Sequence, residues 1–117
     1  MTPAPPDTAK PGEFVVVLVT APSAETAATL AEALVTEKLV ACVNIVPGLR
    51  SIYAWEGNVC DEQEVLCLLK TRRALFAAVR ERVTELHPYR VPEIIALPLV
   101  DGSVPYLTWL RDETRAP

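Results

Sequence analysis

A single histidine, His87, stands in the whole chain. One protomer therefore cannot assemble a multi-histidine metal site, and a Ser-His-Asp mechanism would have one possible base. Cysteine is sparse too. Cys42, Cys60 and Cys67 cannot all pair within one chain, and none forms a CxxC; reduced thiols in a cytoplasmic protein are the simple reading. Basic residues are outnumbered, eleven against fifteen acids, giving a net charge of -4. Nucleic-acid binders draw affinity from Lys and Arg neutralising phosphates, so this composition argues against that class. No apolar run approaches the ~20 residues that cross a bilayer. The N-terminus lacks a basic start followed by an apolar stretch, so no signal peptide and no membrane insertion are expected.

What is present is a short, apolar chain. Half of its 117 residues are hydrophobic, enough for one core and too few for two. Residues 1–12 hold four prolines and read as a flexible arm, leaving 13–117 as a single domain. Glu13 to Thr20, E-F-V-V-V-L-V-T, is a β-branched run without polar alternation, as in a strand buried on both faces. Ser23 is an N-cap, and Ala27, Leu30, Ala31, Leu34 and Val35 recur at helical spacing. Leu39 to Val46 is a second apolar run, Pro47-Gly48 a turn or bulge, and Arg50 to Glu56 a continuing strand. There Tyr53 and Trp55 share one face, Ile52 and Ala54 the other. Gly57-Asn58 marks the next turn and Asp61 to Lys70 the returning strand.

Ala74 to Leu86 is a second amphipathic helix, stopped by Pro88. Glu93 to Val100 is a strand whose Pro98 belongs at an edge or bulge, because proline lacks a ladder donor. Val104 to Glu113 is a short last helix. The order β-α-β-β-α-β-α predicts an α+β class, a ferredoxin-like split βαβ sandwich with a long hairpin and an extra C-terminal helix. Strands of ~15 residues span roughly 50 Å at ~3.3 Å each, more than one small sheet can use. Surplus strand with bare edges must pair with something, and pairing between subunits solves that.

Seven segments then carry a resemblance: V-V-V-L-V-T-A-P (15–22), E-K-L-V-A-C-V-N (37–44), I-V-P-G (45–48), S-I-Y-A-W-E-G (51–57), E-V-L-C-L-L-K-T (64–71), H-P-Y-R-V-P-E (87–93) and Y-L-T-W-L (106–110). From Phe14 to Asp112 the chain resembles the CutA divalent-cation tolerance proteins. The resemblance implies a ferredoxin-like subunit in a compact homotrimer. It also implies a cytoplasmic role linked to copper and other divalent metals, with no established reaction. A copper site proposed in bacterial members uses a first-strand cysteine, a histidine just before H-P-Y, and the glutamate ending P-E. Here those places hold Val19, Leu86 and Glu93. Valine and leucine offer no lone pair, so the soft Cys/His/Glu set cannot form. If Cu or Zn binds, His87 and Glu93 are the best pair, and no metal is expected to be needed for folding.

Each candidate residue also has a plainer role. His87 sits where a charged helix-end histidine favours the macrodipole. Glu93 at a strand start is ordinarily solvated or ion-paired. Tyr53, Trp55 and Glu56 suit subunit packing, and Lys70 an interface ion pair. The functional alternative is a cleft between subunits lined by Tyr53, Trp55, Glu56, Lys70 and Tyr89 with His87 and Glu93. Cys42 and Cys67 are expected in the core, Cys60 nearer the surface.

The resemblance implies a trimeric, non-enzymatic protein of cation tolerance, with weak divalent binding at the clefts. The alternative is a small-ligand sensing or signalling trimer, by fold analogy. An acylphosphatase-like enzyme would need a phosphate-gripping arginine after the first strand, and Thr20-Ala21-Pro22-Ser23 has none.

Overall fold

The computed structural model describes residues 9–117. The expected arm lies mostly outside the described residues, but its end is packed: Ala9 is buried with Phe14, Ala41, Leu107 and Leu110. Four antiparallel strands form one sheet in the order β2-β3-β1-β4. They are β1 (Phe14–Ala21), β2 (Cys42–Trp55), β3 (Asn58–Arg72) and β4 (Ile94–Pro98). Helices α1 (Ala24–Thr36) and α2 (Phe76–Leu86) supply Leu30, Leu34, Val79 and Val83 to a core shared with Val15, Val17 and Val19 of β1. Helix α3 (Val104–Asp112) follows β4.

Local chemistry accounts for the boundaries. The Ser23 hydroxyl accepts the Thr26 amide at 3.1 Å and caps α1. A 3-10 turn, Arg73–Leu75, precedes α2, so the regular helix starts later than Ala74. Strand β4 is shorter than expected and leaves Glu93 in the preceding loop. It lies at the sheet edge, where Pro98 closes it opposite Val15. The hairpin turn is Glu56-Gly57, one residue before Gly57-Asn58, because Trp55 pairs with Asn58. Both turn residues have positive φ, 48° and 81°, the I′ geometry that matches strand twist.

The two faces of the sheet are not alike. Strand β1 was expected to be buried on both. Its odd residues are covered by α1 and α2; Val16 and Leu18, on the other face, are only half-buried. There Val16 aligns with Lys70 and Leu97, and Leu18 with Leu68 and Ile95. Ile95 and Leu97 are 51% and 50% exposed. Helix α3 covers one end of this second face, over Phe14. Arg72 ties the tail after α3 to β3, donating to Thr114 Oγ1 at 2.9 Å and to Arg111 O at 2.8 Å.

Strands β2 and β3 have 14 and 15 residues against 8 and 5 for β1 and β4. The hairpin therefore overhangs, and the molecule measures 59 × 25 × 22 Å. Its radius of gyration is 15.8 Å, against about 13 Å for a compact chain of this length. The β2–β3 register slips by one residue between Val46 and Leu49, at Pro47-Gly48. Before this bulge the even residues Cys42, Asn44 and Val46 lie on the second face. After it the odd residues Leu49, Ser51, Tyr53 and Trp55 do. One inserted residue thus sets which side chains of the overhang join that face.

Candidate functional site

On the overhang, a groove of about 870 Å³ runs between the hairpin and the loop that follows α2. Its walls are Arg50 to Tyr53 and Trp55 of β2, Glu56 of the hairpin turn, Glu64 of β3, and Tyr89 to Val91 with Glu93 from the loop. Five residues singled out in the sequence, Tyr53, Trp55, Glu56, Tyr89 and Glu93, meet here.

Two others do not. Lys70 lies six residues along β3 from Glu64, roughly 20 Å at strand rise. It faces Cys42 across the ladder and binds the Asn44 side-chain oxygen. His87 is buried outside the groove wall, and both ring nitrogens are engaged. The Tyr89 N–H donates to Nδ1 at 3.1 Å, which requires Nδ1 to be bare. Nε2 therefore carries the proton and donates to Thr20 O at 2.8 Å. No ring lone pair is open to a cation while these bonds hold. His87 serves instead as a buttress between β1 and Tyr89, whose ring lies 4.7 Å from the imidazole.

The buttress aims Tyr89 at β3. Its hydroxyl donates to Glu64 Oε2 at 2.9 Å. Burial pushes the Tyr89 hydroxyl well above the ordinary phenol range, and Glu64 adds to the effect. Burial likewise pushes Tyr53 up to about 12, helped by a hydrogen bond to Glu62. Both phenols thus stay protonated donors beside carboxylates. Glu64 itself is only 7% exposed.

Toward the tip, the Arg90 guanidinium lies 5.8 Å from the centre of the Trp55 ring. It also sits 3.5 Å from Glu56. Arg50 grips Asp61 with two bonds of 2.8 and 2.5 Å and holds that carboxyl below its usual range. Glu64, Arg50 and Arg90 were missed from sequence. Arg90 stands inside H-P-Y-R-V-P-E, which was its available signal; Glu64 was hidden in an alternating strand.

Glu56, Glu64 and Glu93 share the groove, yet among the described residues no three His, Cys, Asp or Glu side chains gather as a metal-holding group. Of the cysteines, Cys67 is buried and its thiol is pushed up by burial. Cys42, expected in the core, is half-buried on the second face, and Cys60 is also half-buried. No helix among the described residues is long and apolar enough to cross a membrane.

A family model described as CutA1 divalent ion tolerance protein matches residues 15–113. The chain is 59% identical over 99 residues to the divalent-cation tolerance protein CutA of Thermus thermophilus, covering 85% of this chain and 96% of that one. It is 50% identical over 101 residues to the chloroplastic CutA of Arabidopsis thaliana, covering 86% of this chain and 56% of that longer protein. The crystal structure of CutA1 from Oryza sativa matches with a TM-score of 0.88 at 48% identity, covering 90% of this chain and 96% of that one. With nearly the whole sheet and all three helices inside the matched span, the chain belongs to the CutA1 divalent ion tolerance family.

Proposed function

We propose that this protein acts in divalent-cation tolerance as a cytoplasmic, non-catalytic homotrimer that binds copper or zinc weakly at grooves shared between subunits. The observation that carries this reading is the second face of the sheet. It is apolar, open in one copy, and continuous with the acidic groove on the overhang. A contiguous apolar patch of this kind marks an association surface. Sister copies would cover Leu68, Ile95 and Leu97 and pair the bare edges of β2 and β4. Three free cysteines suit a reducing compartment.

Within one protomer the donors do not fit a dedicated metal site, because the carboxylates do not converge. Weak binding through Glu64 and Glu93, completed by a neighbouring copy, is what this donor set supports. His87 contributes through Tyr89 rather than as a ligand. Light scattering tests the assembly and calorimetric titration with Cu(II) and Zn(II) tests the binding. A trimer whose binding heat is reduced by Glu64→Gln or Glu93→Gln is expected. A stable 12.8 kDa particle would overturn the assembly; trimers giving no heat at millimolar metal would overturn the binding.

A second reading, a small-ligand sensing trimer, is favoured by one observation. The groove's volume falls in the ~300–1,000 Å³ range of small-molecule sites and its walls mix aromatic and charged side chains.

A further inference from the structure

We propose that the groove binds a small organic cation with a guanidinium head, seated on Trp55 and held by Glu64 and Glu93. This deepens the small-ligand reading and rests on it.

The chain already displays the recognition in miniature. The Arg90 guanidinium lies 5.8 Å from the Trp55 ring centre and 3.5 Å from Glu56. A ring face plus a carboxylate is the chemistry that holds organic cations. The Arg90 side chain is 79% exposed, so it is a loosely held occupant that an incoming guanidinium can replace.

Deeper in the groove the carboxylates lack cationic partners. Glu64 is nine-tenths buried, and the donor it meets is the neutral Tyr89 hydroxyl at 2.9 Å. Among the described residues it forms no ion pair, and Glu93 has neither a hydrogen bond nor an ion pair. A buried carboxylate answered only by a neutral phenol is costly and favours an added cation. A hard metal ion wants several oxygens converging on one point, and these do not converge. A molecule with a planar cationic head and a second amine can satisfy carboxylates that stand apart.

Agmatine, a guanidinium with a distal amine, is the probe. It is titrated into the full-length protein by calorimetry and by tryptophan fluorescence. A Trp109→Phe background isolates Trp55, because the chain has two tryptophans. Saturable quenching is expected. Trp55→Leu should weaken binding roughly two- to thirtyfold, the range of a cation–π contact. Glu64→Gln should weaken it as well. Arg90→Ala should tighten it several-fold by freeing the ring, and this exposed substitution leaves the fold alone. No agmatine binding, or binding that Trp55→Leu and Arg90→Ala both leave unchanged, would overturn the inference. Separate Zn(II) titrations keep the readings apart. Zinc heat without agmatine binding overturns this inference and leaves metal binding standing; agmatine binding without zinc heat supports it and removes the metal.

Discussion

The two faces of this sheet are made from the same four strands and end in opposite states. Under α1 and α2, Val17, Val79 and Val83 are fully buried by side chains of the same chain. On the other face Leu18 and Leu68 stay half-covered, Ile95 and Leu97 lie open, and the strands run on into a bare ribbon. The first face finishes the fold. The second is unfinished in one copy, and the groove with its aromatic and acidic walls grows out of it. The proposed function sits where the chain leaves its own sheet incomplete.

A charge on each face separates them most sharply. Leu68→Glu, at the centre of the open face, should turn the proposed trimer into 12.8 kDa monomers in light scattering while leaving the far-ultraviolet dichroism intact. An unchanged trimer would mean that this face is not the association surface. The next largest effect belongs to the closed face. Leu34→Ala removes a fully buried side chain from between α1 and the sheet and should cost about 2–5 kcal/mol in urea unfolding. Oligomeric state should respond to it far less than to Leu68→Glu. If Leu34→Ala costs under ~1 kcal/mol, the closed face is less tightly packed than its burial indicates.

Deleting Gly48 tests how the ribbon is joined to the open face. The bulge sets Pro47 and Gly48 against one residue of β3, so the deletion removes the surplus residue and leaves Leu49, Ser51, Tyr53 and Trp55 on the face they already occupy. Tyr53 and Trp55 then stay in the groove, while the extra bend and twist of the bulge are lost. Nuclear Overhauser contacts between the Tyr53 ring and the Glu62 side chain should persist in the deletion. If they vanish, the ribbon has slipped in register and the bulge does more than take up one residue.

The bulge also shows how far the sequence can be read. Ser23 as a cap, Pro47-Gly48 as a bulge, Pro98 at an edge and the overlong hairpin were legible, because each follows from a local backbone preference or from length. The turn was misplaced by one residue because Glu56 takes a left-handed conformation that its side chain does not announce. Tyr53 and Trp55 were correctly set on one face, since alternation is local. Lys70 lies apart from them within one protomer; the same alternation carries no distance along the strand. His87 looked like a ligand because its hydrogen bonds go to the backbone of Thr20 and Tyr89, and backbone partners leave no trace in composition. Glu64 was invisible because its hydrogen-bond partner is a tyrosine 25 residues away.

The smallest expected effect concerns how the closed face is locked at its rim. Arg82 of α2 forks onto Glu37 at the end of α1, with bonds of 2.9, 3.1 and 2.9 Å. Arg82 holds the Glu37 carboxyl below its usual range, chiefly by hydrogen bonding and then by charge, against an opposing push from burial. A carboxyl lowered in the folded state binds fewer protons there than in the unfolded chain, so it stabilises above the unfolded value of about 4.3. That contribution fades as pH falls through the lower folded value. Glu37→Gln keeps the shape and removes the charge. Its urea midpoint should lie slightly below that of the parent at pH 7, with the gap closing as pH drops below 4. The pair is partly exposed, so the gap should also shrink in high salt. A gap that widens on acidification would mean that the carboxylate is not what Arg82 holds, and that α1 and α2 are joined by packing alone.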